Sequence, residues 1–153
     1  MVHLVEMLKG DGNLVKGIAE AGECHIAGLT CDSRKVEPGF LFAAMQGTKM
    51  DGRNFIQEAI KRGAAAILGP VGSKVESQYA EIPFITDEDP RRLYAVLAAR
   101  FFEEQPETIA AITGTSGKTS VCQFLRQIWN LAGLRAATLG TLGLQVTLST
   151  GEL

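Results

Sequence analysis

Apolar and polar positions alternate with two different periods along this chain, and the switches between them outline its elements. Leu4, Val5 and Leu8 have the spacing of a short helix over 2–8, which the glycines at 10 and 12 end. Leu29 and Thr30 read as a short strand running into the polar turn Cys31-Asp32-Ser33-Arg34. Pro38-Gly39 then has the composition of a type II turn. The apolar run 40–45 is a buried strand, and a loop over 47–52 follows it. Phe55, Ile56, Ala59 and Ile60 fall on one face of a helix over 54–62 that Gly63 stops, and 64–68 is the next strand. Strand, helix and strand in this order form a βαβ crossover, the unit of parallel α/β layers with binding loops at their strand ends. Residues 69–80 read as a solvated connection and 82–85 as one more short strand.

Beyond that strand the period becomes helical. Asp89 is a good N-cap and Pro90 a good first helical residue. Leu93, Val96, Leu97, Arg100 and Phe101 recur at helical spacing as far as Glu104, and Gln105-Pro106 closes the element. This helix is expected to link two α/β regions, with an N-terminal domain over 1–86, a linker over 87–107 and a second domain opening at 108. The run Ile109-Ala110-Ala111-Ile112 predicts a strand covered on both faces. A helix follows with Val121, Phe124, Leu125, Ile128 and Ala132 on one stripe and Gln123, Arg126, Gln127 and Asn130 opposite, up to Gly133. Residues 135–146 supply a further strand.

Between that strand and that helix lies Gly114-Thr115-Ser116-Gly117-Lys118-Thr119-Ser120. Its glycines let the backbone approach an anion and turn N–H groups toward it, and a side chain on either would obstruct the approach. Lys118 supplies a mobile charge suited to β and γ phosphates, and the Thr119 hydroxyl sits where such loops place a Mg²⁺ ligand. The spacing departs from the usual P-loop, because the first glycine lies only three residues before Gly117 and position 112 is isoleucine. An ordinary glycine turn between strand and helix is the alternative reading.

Charge and cysteine content narrow the partners. With 15 basic and 17 acidic residues the net charge is −2, and no long run of like charge offers a footprint for nucleic acid or an anionic membrane. Small molecules are the expected partners. Cys24, Cys31 and Cys122 include no CxxC pair and read as free, buried thiols of a reducing compartment. The start MVHLVEMLKGDG has neither a basic leader nor a long apolar core, and no apolar run reaches membrane-spanning length. A soluble cytoplasmic protein is expected. His3 and His25 are read as surface or loop residues without chemistry.

The loop TGTSGKTS, together with TCDSRKVEPGFLFAAMQGTKMDGRNFIQEAIKRGAAAIL upstream, resembles the Mur ligase family of peptidoglycan synthesis. The shortened glycine spacing is the normal form in that family. The similarity covers 30–68 and 109 to about 143, and is greatest to members that add the third amino acid to UDP-N-acetylmuramoyl-L-alanyl-D-glutamate. It implies an α/β protein in which a small N-terminal domain holds the UDP end of the substrate through Cys31, Ser33, Thr48, Lys49 and Met50. Cys31 replaces a more usual hydrophobic residue, so a contact there would come from its backbone. For Ser33 the alternative is a local turn cap, and for Lys49 a solvated charge.

The resemblance further implies that residues 114–120 open a P-loop-type parallel ATPase domain and hold ATP, with Lys118 as the catalytic contact to the phosphates and Thr119 on Mg²⁺. The substrate glutamate carboxylate would attack the γ-phosphate, and the incoming amine would capture the acyl phosphate. Lys118 and the metal would act electrostatically. Ser116 stands where asparagine is usual. The family's acidic metal ligand, modified lysine and C-terminal amino-acid-binding domain have no counterpart before Leu153. The chain is therefore expected to be an N-terminal fragment of an otherwise monomeric enzyme, unable to ligate alone, with weak UDP-sugar binding and a mobile or self-associating tail. Meso-diaminopimelate is the expected amino acid and lysine the runner-up. Alternatives are the sister ligase that adds the terminal dipeptide, against which Thr115 argues, and a non-catalytic nucleotide-sugar-binding remnant.

Overall fold

Ladders between parallel strands organise the residues before Pro106. In the computed structural model, residues 1–9, 23–47, 50–73 and 81–146 are described. The chain divides into two units, Met1–Gln105 and Pro106–Leu153. The first contains β1 (Val2–His3), α1 (Leu4–Leu8), β2 (His25–Ile26), β3 (Gly28–Thr30), β4 (Phe40–Ala43), α2 (Ile56–Lys61), β5 (Ala66–Pro70), β6 (Phe84–Asp87) and α3 (Pro90–Phe102). Short 3₁₀ turns at Ser33–Lys35 and Gly52–Phe55 lie between them. Strands β3, β4, β5 and β6 form one sheet in that order, every pair parallel.

Side chains along β4 and β5 alternate between two cores, as the strand period of two requires. Leu41, Ala43, Ala66, Leu68 and Ile85 meet Leu4, Met7, Leu8, Leu93 and Leu97 on one face. Phe42, Ala44 and Ile67 meet Val36, Ile56, Ala59 and Ala64 on the other. Gly39 has φ +86°, the value the third position of a type II turn needs, and only glycine takes it without strain. At the start of α3, the Asp89 carboxylate accepts from the Arg92 N–H at 3.0 Å, and Pro90 occupies the first turn.

Several expectations change. Val2 and His3 pair antiparallel with Ile26 and His25, so the predicted 2–8 helix shortens to Leu4–Leu8. That pairing places the His3 and His25 rings 3.9 Å apart, although 3 and 25 are remote in sequence. Strand β5 begins two residues later than the apolar run, because its ladder starts opposite Leu41 at Ala66. The helix expected to link two regions packs within the first unit. Leu93 and Leu97 enter its core, and Arg100 Nη1 donates to the Met7 carbonyl at 2.6 Å.

In the second unit, α4 (Lys118–Leu131) precedes β7 (Ala137–Gly140) and β8 (Gly143–Val146), an antiparallel pair. Two corrections follow. The single strand expected over 135–146 is a hairpin, and 109–112 is not a strand, with Ile109 77% exposed. A strand is defined by its ladder, and among the described residues nothing pairs with 109–112. The polar face of α4 bonds to the hairpin and the residue before it: Gln123 Nε2 donates to Thr138 Oγ1 at 3.3 Å, and Asn130 Oδ1 accepts from the Ala136 N–H at 3.2 Å. Phe124 and Ile128, on the apolar stripe, are exposed.

Two substitutions test this packing. Leu97 is fully buried, so Leu97→Ala should lower unfolding free energy by about 2–5 kcal/mol, measured by urea denaturation. A Cβ on Gly52 would lie 2.5 Å from the Met45 carbonyl oxygen and 2.8 Å from its nitrogen, backbone atoms that cannot move aside cheaply. Gly52→Ala should therefore cost about 1–3 kcal/mol in the same assay, and an unchanged midpoint would contradict the tight loop closure.

Candidate functional site

Two groups of candidate residues lie in different units. In the first, parallel pairing sends the connections after β3, β4, β5 and β6 to one edge of the sheet. Cys31 and Ser33 follow β3, and Met50 lies in the connection after β4. Thr48 and Lys49 lie outside the described residues.

The turn after β3 is held by its own side chains. Thr30 Oγ1 accepts from the Asp32 N–H at 3.1 Å. The Asp32 carboxylate accepts from the Arg34 N–H at 3.1 Å and from its Nε and Nη2 at 2.9 and 2.8 Å. Those hydrogen bonds from Arg34 hold the Asp32 carboxyl down at about 2. The capping oxygen is thus Asp32 and not Ser33, which is buried in the turn at 8% exposure. Cys31 is exposed, contrary to the buried thiol expected, while Cys24 and Cys122 are half-buried. Burial pushes the Cys24 thiol up.

The connection after β4 is a closed loop. Gln46 and Asp51 form a bridge, the Gly47 N–H donates to the Met50 carbonyl at 2.9 Å, and the Gly52 N–H donates to the Met45 carbonyl at 2.9 Å. Asp51 caps the next turn by accepting from the Arg53 N–H at 3.0 Å, and its pairing with the Arg53 side chain lowers its pKa. Met50 is 64% exposed. Arg91, in the first turn of α3, donates from Nη2 to the Gln46 carbonyl at 2.7 Å and so ties this loop to the helix. No sequence signal separates that arginine from its neighbour Arg92.

In the second unit both glycines of the loop have positive φ. Gly114 and Gly117 have φ +147° and +77°, and Gly117 caps α4 in the left-handed conformation. A Cβ on Gly117 would meet nothing within 4 Å, so conformation and not crowding demands glycine. The first intrahelical bond runs from the Val121 N–H to the Gly117 carbonyl at 3.0 Å. The amides of Lys118, Thr119 and Ser120 precede it and form the positive end of the helix dipole. Lys118 Nζ curls over the loop and donates to the Gly114 carbonyl and, at 3.4 Å, to that of Thr115. Thr119 Oγ1 lies 3.2 Å from Thr141 Oγ1, at the hairpin tip.

Together the amides, the lysine and the threonine hydroxyl make a donor set suited to a metal-bound polyphosphate. Thr115, Ser116 and Ser120 are exposed around it. Among the described residues no group of three or more His, Cys, Asp or Glu could hold a metal ion, so a cation here would depend on hydroxyl and phosphate oxygens. Nor is any described helix long and apolar enough to cross a membrane.

Comparison with known proteins matches the regions in which both groups lie. The family model "Mur ligase family, catalytic domain" matches residues 25–102, and "Mur ligase middle domain" matches 112–152. The UDP-N-acetylmuramoyl-L-alanyl-D-glutamate–2,6-diaminopimelate ligase of Brucella melitensis is 52% identical over 124 residues, 81% of this chain and 25% of that protein. The ligase of the same name from Rhizobium meliloti is 45% identical over 141 residues, 92% of this chain and 26% of its own length. Among solved structures, a ligase of that name superimposes with TM-score 0.62 and 26% identity, over 79% of this chain and 25% of the other. The MurF ligase of Thermotoga maritima in complex with ADP gives 0.54 and 28%, over 71% and 24%. The chain thus spans about a quarter of the relatives it matches. With one family model covering the parallel sheet, α2 and α3 and a second covering most of the glycine-loop unit, this chain belongs to the Mur ligase family.

Proposed function

We propose that this chain is the substrate- and nucleotide-binding part of an ATP-dependent amide ligase acting on a peptidoglycan precursor. The enzyme adds the third amino acid, meso-diaminopimelate, to UDP-N-acetylmuramoyl-L-alanyl-D-glutamate in the cytoplasm. The observation that carries this reading is the 52% identity to a diaminopimelate ligase over 124 residues that include the glycine loop and the edge of the parallel sheet. The sister ligase that adds the terminal dipeptide shares the fold, but relatives 52% identical to this chain bear the diaminopimelate name, and the structural match to that enzyme has the higher TM-score, 0.62 against 0.54.

In this reading Cys31, Ser33, Thr48, Lys49 and Met50 receive the UDP end of the substrate, with Asp32 and Arg34 fixing the turn and Arg91 fixing the loop. Buried Ser33 offers its hydroxyl from a turn whose cap is already supplied by Asp32. Residues 114–120 receive ATP, which activates the substrate carboxylate by phosphoryl transfer. The amides at the start of α4 accept the phosphate charge, and Lys118 exchanges its carbonyl partners for phosphate oxygens. Thr119 binds Mg²⁺ through its hydroxyl. These are roles of positioning and charge neutralisation, so no residue of the loop forms a covalent bond. The partners are then small molecules and not nucleic acid or membrane, and the complete enzyme acts as a monomer.

A chimaera in which this chain replaces the matching quarter of the Brucella melitensis ligase tests the proposal. It should form ADP only when both the dipeptide substrate and diaminopimelate are present, and Lys118→Ala should lower turnover by about 10²-fold or more. Robust turnover in the Lys118→Ala chimaera would exclude the phosphate role. Ser33→Ala should raise KM for the UDP substrate by about tenfold, the equivalent of one lost hydrogen bond, with little change in kcat.

A further inference from the structure

The hairpin β7–β8 meets the end of the glycine loop through a pair of hydroxyls. Thr119 Oγ1 and Thr141 Oγ1 are 3.2 Å apart, and the two residues line one cleft with Ile112, Lys118, Thr138 and Gly140. Thr141 sits at the tip because Gly140 pairs with Gly143, and Gly143, at φ +75°, supplies the left-handed residue that turns the chain. The hairpin's position along α4 is set independently, by Gln123 on Thr138 and by Asn130 on the Ala136 amide. Its tip is therefore aimed at the start of the helix by contacts farther along it.

Thr119 lies in the first turn of α4, where no preceding helical turn offers its hydroxyl a carbonyl, so the helix alone does not fix its rotamer. A partner outside the helix selects it. We infer that Thr141 is a positioning residue for the metal–nucleotide site, holding the Thr119 hydroxyl toward the cleft and accepting its proton's hydrogen bond when a lone pair of that oxygen faces a divalent cation. Either oxygen can donate in the pair as it stands. A cation on Thr119 fixes the direction, because the coordinating oxygen keeps its proton and has to direct it elsewhere. Thr141 provides the acceptor 3.2 Å away. Outer groups that orient a metal ligand in this manner are worth roughly 10–100-fold in affinity. The inference rests on the reading of 114–120 as a nucleotide site.

The test is binding of a fluorescent ATP analogue to this chain, titrated with and without Mg²⁺, in wild type, Thr141→Val, Thr141→Ser, Thr119→Val and Lys118→Ala. Thr141→Val keeps the shape and removes the hydroxyl. It should reduce affinity by roughly 10–100-fold with Mg²⁺ present and leave metal-free affinity unchanged, while Thr141→Ser retains the Mg²⁺ dependence. Thr141→Val with wild-type Mg²⁺ dependence overturns the inference, as does equal loss in the Val and Ser variants, which would assign the effect to hairpin packing. If Thr119→Val removes the Mg²⁺ dependence and Thr141→Val does not, only the role of Thr141 fails. If neither Thr119→Val nor Lys118→Ala alters binding, or wild type does not bind the analogue, the nucleotide reading of the loop fails with it.

Discussion

Parallel pairing is the constraint on which the first unit depends, because it dictates both how the sheet is covered and where its connections emerge. A parallel strand cannot return through a tight turn, so each of β3, β4 and β5 has to be followed by a crossover before the next strand starts. The crossover through α2 buries Phe42 and Ile67 beneath Ile56 and Ala59, while α1 and α3 bury Leu41 and Leu68 on the opposite face. Strands buried on both faces have no polar side to place outward, which is why β4 and the start of β5 read as unbroken apolar runs. The same geometry brings the ends of all these strands to one edge. Ser33 and Met50, separated by a complete strand in sequence, therefore emerge on the same side of the sheet.

What the sequence revealed of this arrangement follows how local each signal is. Pro38-Gly39 and Asp89-Pro90 act through their own backbone and nearest amides, and both elements form where those residues lie. The glycine loop is legible for the same reason, since the φ values of Gly114 and Gly117 and the reach of Lys118 belong to a few consecutive residues. Pairing partners are not local. The apolar run 109–112 has the composition of a buried strand, yet composition does not supply a ladder. The hairpin over 137–146 turns at Thr141-Leu142, which lacks the Asn-Gly or Asp-Gly pair that announces a two-residue turn. His3 and His25 meet only because β1 finds β2.

The two candidate sites also differ in how their side chains are fixed. Around Ser33 the positioning is redundant: Thr30 holds Asp32, Asp32 holds Arg34, and the Arg62 guanidinium donates to the Arg34 carbonyl at 3.2 Å. A turn with so many internal bonds is ordered by itself, and in the proposed reading that lowers the entropy cost of binding. Lys118 is fixed only by loop carbonyls, neutral acceptors that a phosphate oxygen can replace with a charge-assisted bond. One turn is held by several of its own side chains, and the loop lysine by two neutral carbonyls.

Helix α4 shows how far the glycine loop is independent of the domain around it. Its polar face meets the hairpin through Gln123 and Asn130, while Val121, Phe124 and Ile128 on the apolar stripe are at least half exposed, as are Leu139, Leu144 and Val146 on the strands. Apolar surface of this extent on a helix and its neighbouring strands marks faces built to be covered, and the "Mur ligase middle domain" model that matches 112–152 describes the domain type to which those faces belong. The loop needs none of that cover to take its shape. Its glycines are set by backbone conformation with nothing nearby to crowd a Cβ on Gly117, and its amides point outward because the helix has no earlier turn for them to bond. Backbone geometry at 114–120 is thus a local property of the sequence, and packing adds the hairpin residues beside it, Thr141 next to Thr119 among them.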